Sequence, residues 1–190
     1  MRELLLTTLA LQAALTLSLA VTLVWPSVRV WPPPSVRSWQ FYFTWVGTWL
    51  HGSGAFLLGV LGWGSLGLPS WARVGVGAPL LAIGMLSGLW GFHTLSAHAS
   101  LGLGGHLVRG GPYRYSRNPQ YVSSFAILAG WALVSASGLT FWACLGASTW
   151  YFLAPFVEEP WLRARFGAEY EAYARAVPRF IGLGRSNAAA

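Results

Sequence analysis

The chain reads as an all-α integral membrane protein of about five transmembrane helices, the last two forming a tight hairpin, followed by a C-terminal amphipathic cytosolic helix. Three observations predict this. Of 190 residues, 55% are hydrophobic and only 9% are charged, whereas an ordinary soluble domain is about 25% charged. Five apolar stretches stand at about 4–24, 40–66, 74–95, 119–134 and 139–157, most of them long enough to cross a bilayer. The basic residues, all Arg, crowd onto one side of those stretches. Disorder is excluded, because a disordered chain is poor in aromatic and apolar residues.

The first stretch is followed directly by Trp25-Pro26, unlike the small-residue cleavage site of a signal peptide. It reads as an uncleaved helix. The second exceeds what the bilayer needs, which predicts a tilt or kink. In the third, Gly84 and Gly88 make a Gly-x-x-x-Gly step, a close-packing face. Only Ser135-Ala136-Ser137-Gly138 separates the fourth and fifth, so these pair antiparallel. From Pro160 onward, Leu162, Phe166, Tyr170, Tyr173 and Val177 recur at steps of three or four. That predicts a helix beginning at Pro160, lying on the membrane or on the loop before span four.

Charge sets the orientation. Only Arg2 and Arg73 fall on the side of the N-terminus, and every other Arg falls on the opposite side. The positive-inside rule puts the N-terminus outside and the C-terminus in the cytoplasm, with a bacterial inner membrane as the expected location. The net charge of +7 therefore reads as topology and anionic headgroups, not nucleic acid. The organisation expected is a three-helix membrane region over 1–95. Residues 96–185 carry the loop, hairpin and C-terminal helix in one integrated domain, and 186–190 form a tail. The single Cys144 excludes an intrachain disulfide and a Cys-based zinc site. His93 and His98 are five apart, off a shared helical face, so no metal site is expected. Tryptophans near span ends read mainly as an interfacial belt, and His51 as a helix–helix hydrogen bond.

Polar residues gather at one end of the last three spans, in 110–121 and at Glu158-Glu159. The hairpin brings these two groups together. Two adjacent carboxylates at a membrane boundary repel each other and lose water, so they call for a cation. Arg114 or Arg117 is one candidate, and a cationic ligand is another. Tyrosine faces attract ammonium or sulfonium groups, and the helix start at Pro119 favours a carboxylate. S-adenosylmethionine carries all three groups. The plainer alternative is a solvated boundary beside a topology-setting loop.

At these residues the sequence resembles a known family. Leu107, Val108, Gly111, Tyr113, Arg117, Asn118, Pro119 and Tyr121 are similar to its loop, Leu-Val-x-x-Gly-x-Tyr-x-x-x-Arg-His/Asn-Pro-x-Tyr. Glu158-Glu159, Leu162, Phe166-Gly167, Glu169-Tyr170, Tyr173 and Val177-Pro178-Arg179 are similar to its C-terminal signature. The family is the integral-membrane methyltransferases related to isoprenylcysteine carboxyl methyltransferase and to phospholipid methyltransferases. The resemblance implies an S-adenosylmethionine-dependent enzyme working at the cytosolic face. It also implies a lipophilic or lipid-modified acceptor that enters from the bilayer. Carried over, Gly111, Tyr113, Arg117, Asn118, Pro119, Tyr121, Glu158 and Glu159 are expected to bind the cofactor. Asn118 and Arg179 are the candidate catalytic residues, Arg179 near the acceptor side. Asn118 stands where the carboxyl methyltransferases usually have His; Asn cannot titrate.

The acceptor expected is a carboxylate, because His106 is the nearest candidate base and reads better as a solvated loop residue. Phospholipid N-methylation and thiol S-methylation are the alternatives. An NADPH-dependent sterol-type reductase, sharing an Arg-x-x-His-Pro-like element, and a non-enzymatic membrane protein are the rivals from other classes.

Overall fold

The computed structural model describes residues 1–182; the reading of 186–190 as a tail lies outside the described residues. No strand occurs among them. Seven α-helices follow in order: α1 (Arg2–Val24), α2 (Trp39–Leu61), α3 (Ala78–Leu95), α4 (Ala97–Ser100), α5 (Pro119–Ser135), α6 (Gly138–Phe166) and α7 (Ala168–Ala176). A π-helical lead-in, Trp71–Gly77, runs into α3. Arg2–Val24 and Trp71–Leu95 are each long and apolar enough to cross a membrane.

The second apolar stretch ends as a helix at Leu61, short of the expected Leu66. Gly62 follows, and Gly64 and Gly67 take positive φ of 76° and 61°, which glycine adopts without steric cost. The turn they make covers the hairpin. Gly64 N donates to Ser135 O at 2.8 Å, and Leu66 N to Ala136 O at 2.8 Å. Ser137 Oγ caps α6 by accepting from Thr140 N and donates to Leu58 O. Ser135, Ala136 and Ser137 are fully buried.

The Gly84 face packs on α5. A Cβ on Gly84 would stand 2.8 Å from Ile127 N, and one on Gly130 would stand 2.5 Å from Leu81 N. These glycines let two backbones touch, as small residues do between membrane helices. Helix α1 packs on α2 and α6. There Leu15, Leu19, Trp31, Trp150, Ala154 and Val157 form the largest buried cluster. His51 sits in the α1–α2 seam with Nδ1 3.2 Å from Thr8 O, as a helix–helix hydrogen bond.

Pro160 does not begin a new helix. Helix α6 runs unbroken from Gly138 to Phe166 with Pro155 and Pro160 inside it. Its 29 residues extend about 43 Å at 1.5 Å per residue, beyond a hydrocarbon core of about 30 Å. The break comes at Gly167, at φ 53°. The expected C-terminal helix is thus divided between the end of α6 and the short α7. Tyr170 and Tyr173 of α7 bury against Leu107, Leu162 and Phe166.

The α3–α5 contact predicts opposite effects for two glycines. Gly130→Ala should destabilise by about 1–3 kcal/mol, because the backbones must part. Gly52, with nothing within 4 Å of its would-be Cβ, should gain roughly 0.5–1 kcal/mol as Ala. Thermal unfolding of the two variants in detergent compares them.

Candidate functional site

Two segments distant in sequence are stitched together where α5 begins. Asn118 precedes Pro119, the first residue of α5, where a missing N–H costs nothing. Arg117 N donates to Pro178 O at 2.9 Å. Asn118 Nδ2 donates to Arg179 O at 2.9 Å. Tyr173 Oη donates to Tyr113 O at 2.6 Å, tying α7 to the same loop.

Glu159 anchors this assembly. The residue is 2% exposed. Arg179 grips it bidentately, Nε to Oε1 at 2.7 Å and Nη2 to Oε2 at 2.9 Å. Arg117 Nη1 lies 3.2 Å from Oε1, and Arg163 Nη2 lies 3.4 Å from Oε2. Burial works against the charge. The Arg179 hydrogen bonds, with the Arg117 and Arg163 charges, outweigh it and hold the carboxyl below its ordinary value.

Glu158 has a different setting. It borders a cavity of about 280 Å³ enclosed by α2, the 99–108 loop, the start of α5, α6 and α7. That volume lies near the lower end of ligand pockets. Tyr121 Oη donates to Glu158 Oε2 at 2.9 Å, and Trp31 Nε1 donates to Tyr121 Oη at 3.1 Å. Burial pushes the Glu158 carboxyl up. The Tyr121 and Trp31 donors pull it back only in part, and the Glu159 charge pushes it up again. Adjacent residues therefore have opposite roles. Glu159 spends its charge on arginines, while Glu158 presents a carboxylate to the cavity.

Aromatic rings wall the cavity. Trp31 meets Trp45 and Trp150 edge-on at centroid distances of 6.3 and 5.3 Å. Tyr121 meets Trp150 at 6.0 Å. Arg117 also lines the cavity, with its side chain 10% exposed and Nε without a hydrogen-bond partner. The site thus offers an anionic end, a cationic end and π faces, a combination suited to a zwitterion carrying an extra cation.

Of the expected site residues, Tyr113, Arg117, Asn118, Tyr121 and Glu158 line the cavity. The structure places Gly111, Pro119, Glu159 and Arg179 behind it. Gly111 takes φ 56°, and a Cβ there would stand 3.0 Å from Thr94 Oγ1. Pro119 is buried at the helix start. Arg179 has its guanidinium 4.0 Å from the Phe156 ring centroid as well as on Glu159. His106 borders the cavity from an exposed loop position. Sequence reasoning missed Trp31, Trp45 and Trp150, because a tryptophan in a cavity wall and one in an interfacial belt have the same residue signature. Trp31 offered one signal: it lies in the proline-rich loop between Arg29 and Arg37, outside any apolar run.

Residues 72–169 match the profile of the phospholipid methyltransferase family. Among curated proteins, steroid 5-alpha-reductase DET2 of Solanum lycopersicum is 31% identical over 115 residues, 58% of this chain and 43% of the relative. The chain thus spans less than half the length of that relative. No solved structure matches.

The two glutamates should separate in stability. The Glu159 pKa falls on folding, so its contribution is present above the ordinary value of 4.5 and is lost as pH drops through the folded value. Glu159→Gln should cost about 3 kcal/mol at pH 7, leaving buried arginine charge unpaired. The Glu158 pKa rises on folding, so its contribution is present below 4.5 and is lost as pH climbs through the folded value. Glu158→Gln should therefore stabilise the ligand-free protein at pH 7. Thermal unfolding of both variants at pH 4 and pH 7 checks the signs.

Proposed function

The chain belongs to the phospholipid methyltransferase family, and we propose that it is an S-adenosylmethionine-dependent enzyme methylating a lipophilic acceptor at the cytosolic membrane face. In this reading it is most like the isoprenylcysteine carboxyl O-methyltransferases. The observation that carries the reading is the placement of Glu158, a carboxylate held by Tyr121 at the edge of an aromatic-walled cavity. When bound, S-adenosylmethionine supplies an electrophilic methyl group on a sulfonium.

Glu158 would hold the ammonium of that molecule, and the Tyr and Trp faces would sit against positive charge. Arg117 Nε, buried and unpaired, fits a carboxylate, and the partial positive charge at the start of α5 adds to that end. Asn118 is occupied by Arg179 O through its Nδ2. It shapes the loop and moves no proton. The aromatic walls exclude water and hold the reactants in line, an effect worth roughly 7–11 kcal/mol for well-oriented pairs. A carboxylate acceptor requires no general base, whereas an amine must first lose a proton.

Five spans, with the N-terminus outside and the C-terminus in the cytoplasm, fit this placement. The cavity then opens where α6 leaves the bilayer. Residues 1–95 and 96–182 act as one unit in this reading, since Trp31, Thr44 and Trp45 share the cavity with the motif loop.

The steroid 5-alpha-reductase relative favours a second reading, an NADPH-dependent reductase in which Arg117 meets a phosphate.

Thermal unfolding with S-adenosylhomocysteine, beside NADPH, separates the two. A ligand at 100 times its dissociation constant adds about 2.7 kcal/mol. We expect a rise in Tm with S-adenosylhomocysteine that disappears in Glu158→Gln although that variant is itself more stable. A rise with NADPH alone would replace the methyltransferase reading with the reductase.

A further inference from the structure

Two of the side chains that line the cavity carry polar atoms that the cofactor reading leaves unused. Trp150 Nε1 and Thr44 Oγ1 are both buried and both lack a hydrogen-bond partner. Their residues are 8% and 3% exposed and line the same cavity, one from α6 and the other from α2. Buried polar groups in folded proteins are nearly always paired, so each orphan needs an explanation.

Three other buried or half-buried tryptophans have spent their N–H groups. Trp31 donates to Tyr121 Oη, Trp45 to Leu101 O and Trp131 to Ala55 O. Trp150 does not, and its ring cannot readily turn to find a partner. It is wedged edge-on between Trp31, Tyr121 and Tyr151, at centroid distances of 5.3, 6.0 and 5.3 Å. The remaining orphans outside the motif loop, His51 Nε2 and Thr140 Oγ1, belong to residues that do not line the cavity.

Trp150 precedes Glu158 by eight residues on one continuous helix, about 12 Å along its axis. With α6 oriented as proposed, Trp150 is the deeper of the two. The cavity therefore has one polar end at Glu158 and Arg117 and another nearer the bilayer. We propose that Trp150 and Thr44 form the acceptor subsite, which seats a hydrogen-bond-accepting oxygen of the lipophile, a carboxylate or carbonyl. The assignment rests on the methyltransferase reading for which end the cofactor takes. An indole N–H only donates, so it selects an oxygen and opposes an ammonium head. A thiol is a weak acceptor and gains little there. Thr44 Oγ1 adds a second donor to the lining, from α2.

The test uses the full-length protein in phosphatidylcholine nanodiscs, saturated with S-adenosylhomocysteine. The probe is tritiated palmitate, with unlabelled palmitate, hexadecylamine and hexadecanethiol as competitors. Trp150→Phe keeps a ring and removes the donor; Thr44→Val keeps the shape and removes the hydroxyl. We expect each to weaken palmitate binding about tenfold, the loss of one hydrogen bond to a charged group. The amine and thiol should displace palmitate poorly. The Tm rise with S-adenosylhomocysteine, measured on the same samples, shows that the variants are folded and that the cofactor end works. Equal palmitate binding by wild type and variants would overturn the subsite. So would displacement by hexadecylamine as effective as by palmitate, or no palmitate binding to a wild type that S-adenosylhomocysteine stabilises. A wild type that S-adenosylhomocysteine does not stabilise would overturn the underlying reading instead.

Discussion

One buried negative charge holds the polar half of this protein together. Glu159 lies among Arg117, Arg163 and Arg179, and each arginine belongs to a different part of the chain. Arg117 comes from the loop before α5, Arg163 from the next turn of α6, and Arg179 from the segment after α7. A lone carboxylate at 2% exposure would be too costly to keep ionised, and three guanidinium groups without it would repel one another. Each side makes the other tolerable. Once Arg117 and Arg179 are drawn to one point, Pro178 O and Arg179 O come within reach of Arg117 N and Asn118 Nδ2. The cavity wall is then closed.

This also explains why two adjacent acids part company. Successive residues on an α-helix point about 100° apart, so one can face the arginines while its neighbour faces the cavity. The cluster neutralises Glu159 locally and leaves Glu158 as the carboxylate that needs an external cation. Tyr121 and Trp31 hold Glu158 in place without supplying that charge. The arrangement resembles other sites in which burial pushes up a carboxyl that borders a cavity.

Much of this was legible in the sequence, for physical reasons that can be named. The α5–α6 hairpin showed because four small residues between two apolar runs leave the chain no room for anything but a tight turn. The loop and the paired acids showed because polar residues beside a bilayer are expensive and therefore few. The division of labour between Glu158 and Glu159 did not show, since it depends on which face of α6 meets Arg179. Trp31 and Trp150 did not show either. Trp31 pairs with Tyr121, 90 residues away, and Trp150 packs against both of them, and no local pattern records that. Pro160 misled because proline is favoured in a first helical turn. Here the flanking glutamates are pinned on both sides, by Tyr121 and by the arginines, and the helix continues to Gly167, where positive φ ends it.

The unbroken run of α6 has a mechanical consequence. Because Trp150 and Glu158 ride on one continuous helix, the spacing between the two ends of the cavity is set by that helix, with Pro155 between them as the place where it can bend. The 99–108 loop borders the same cavity but does not connect these two residues, so it does not set that span. Under the proposed assignment of the two ends, ligands that occupy both must match that span as well as the chemistry of each end.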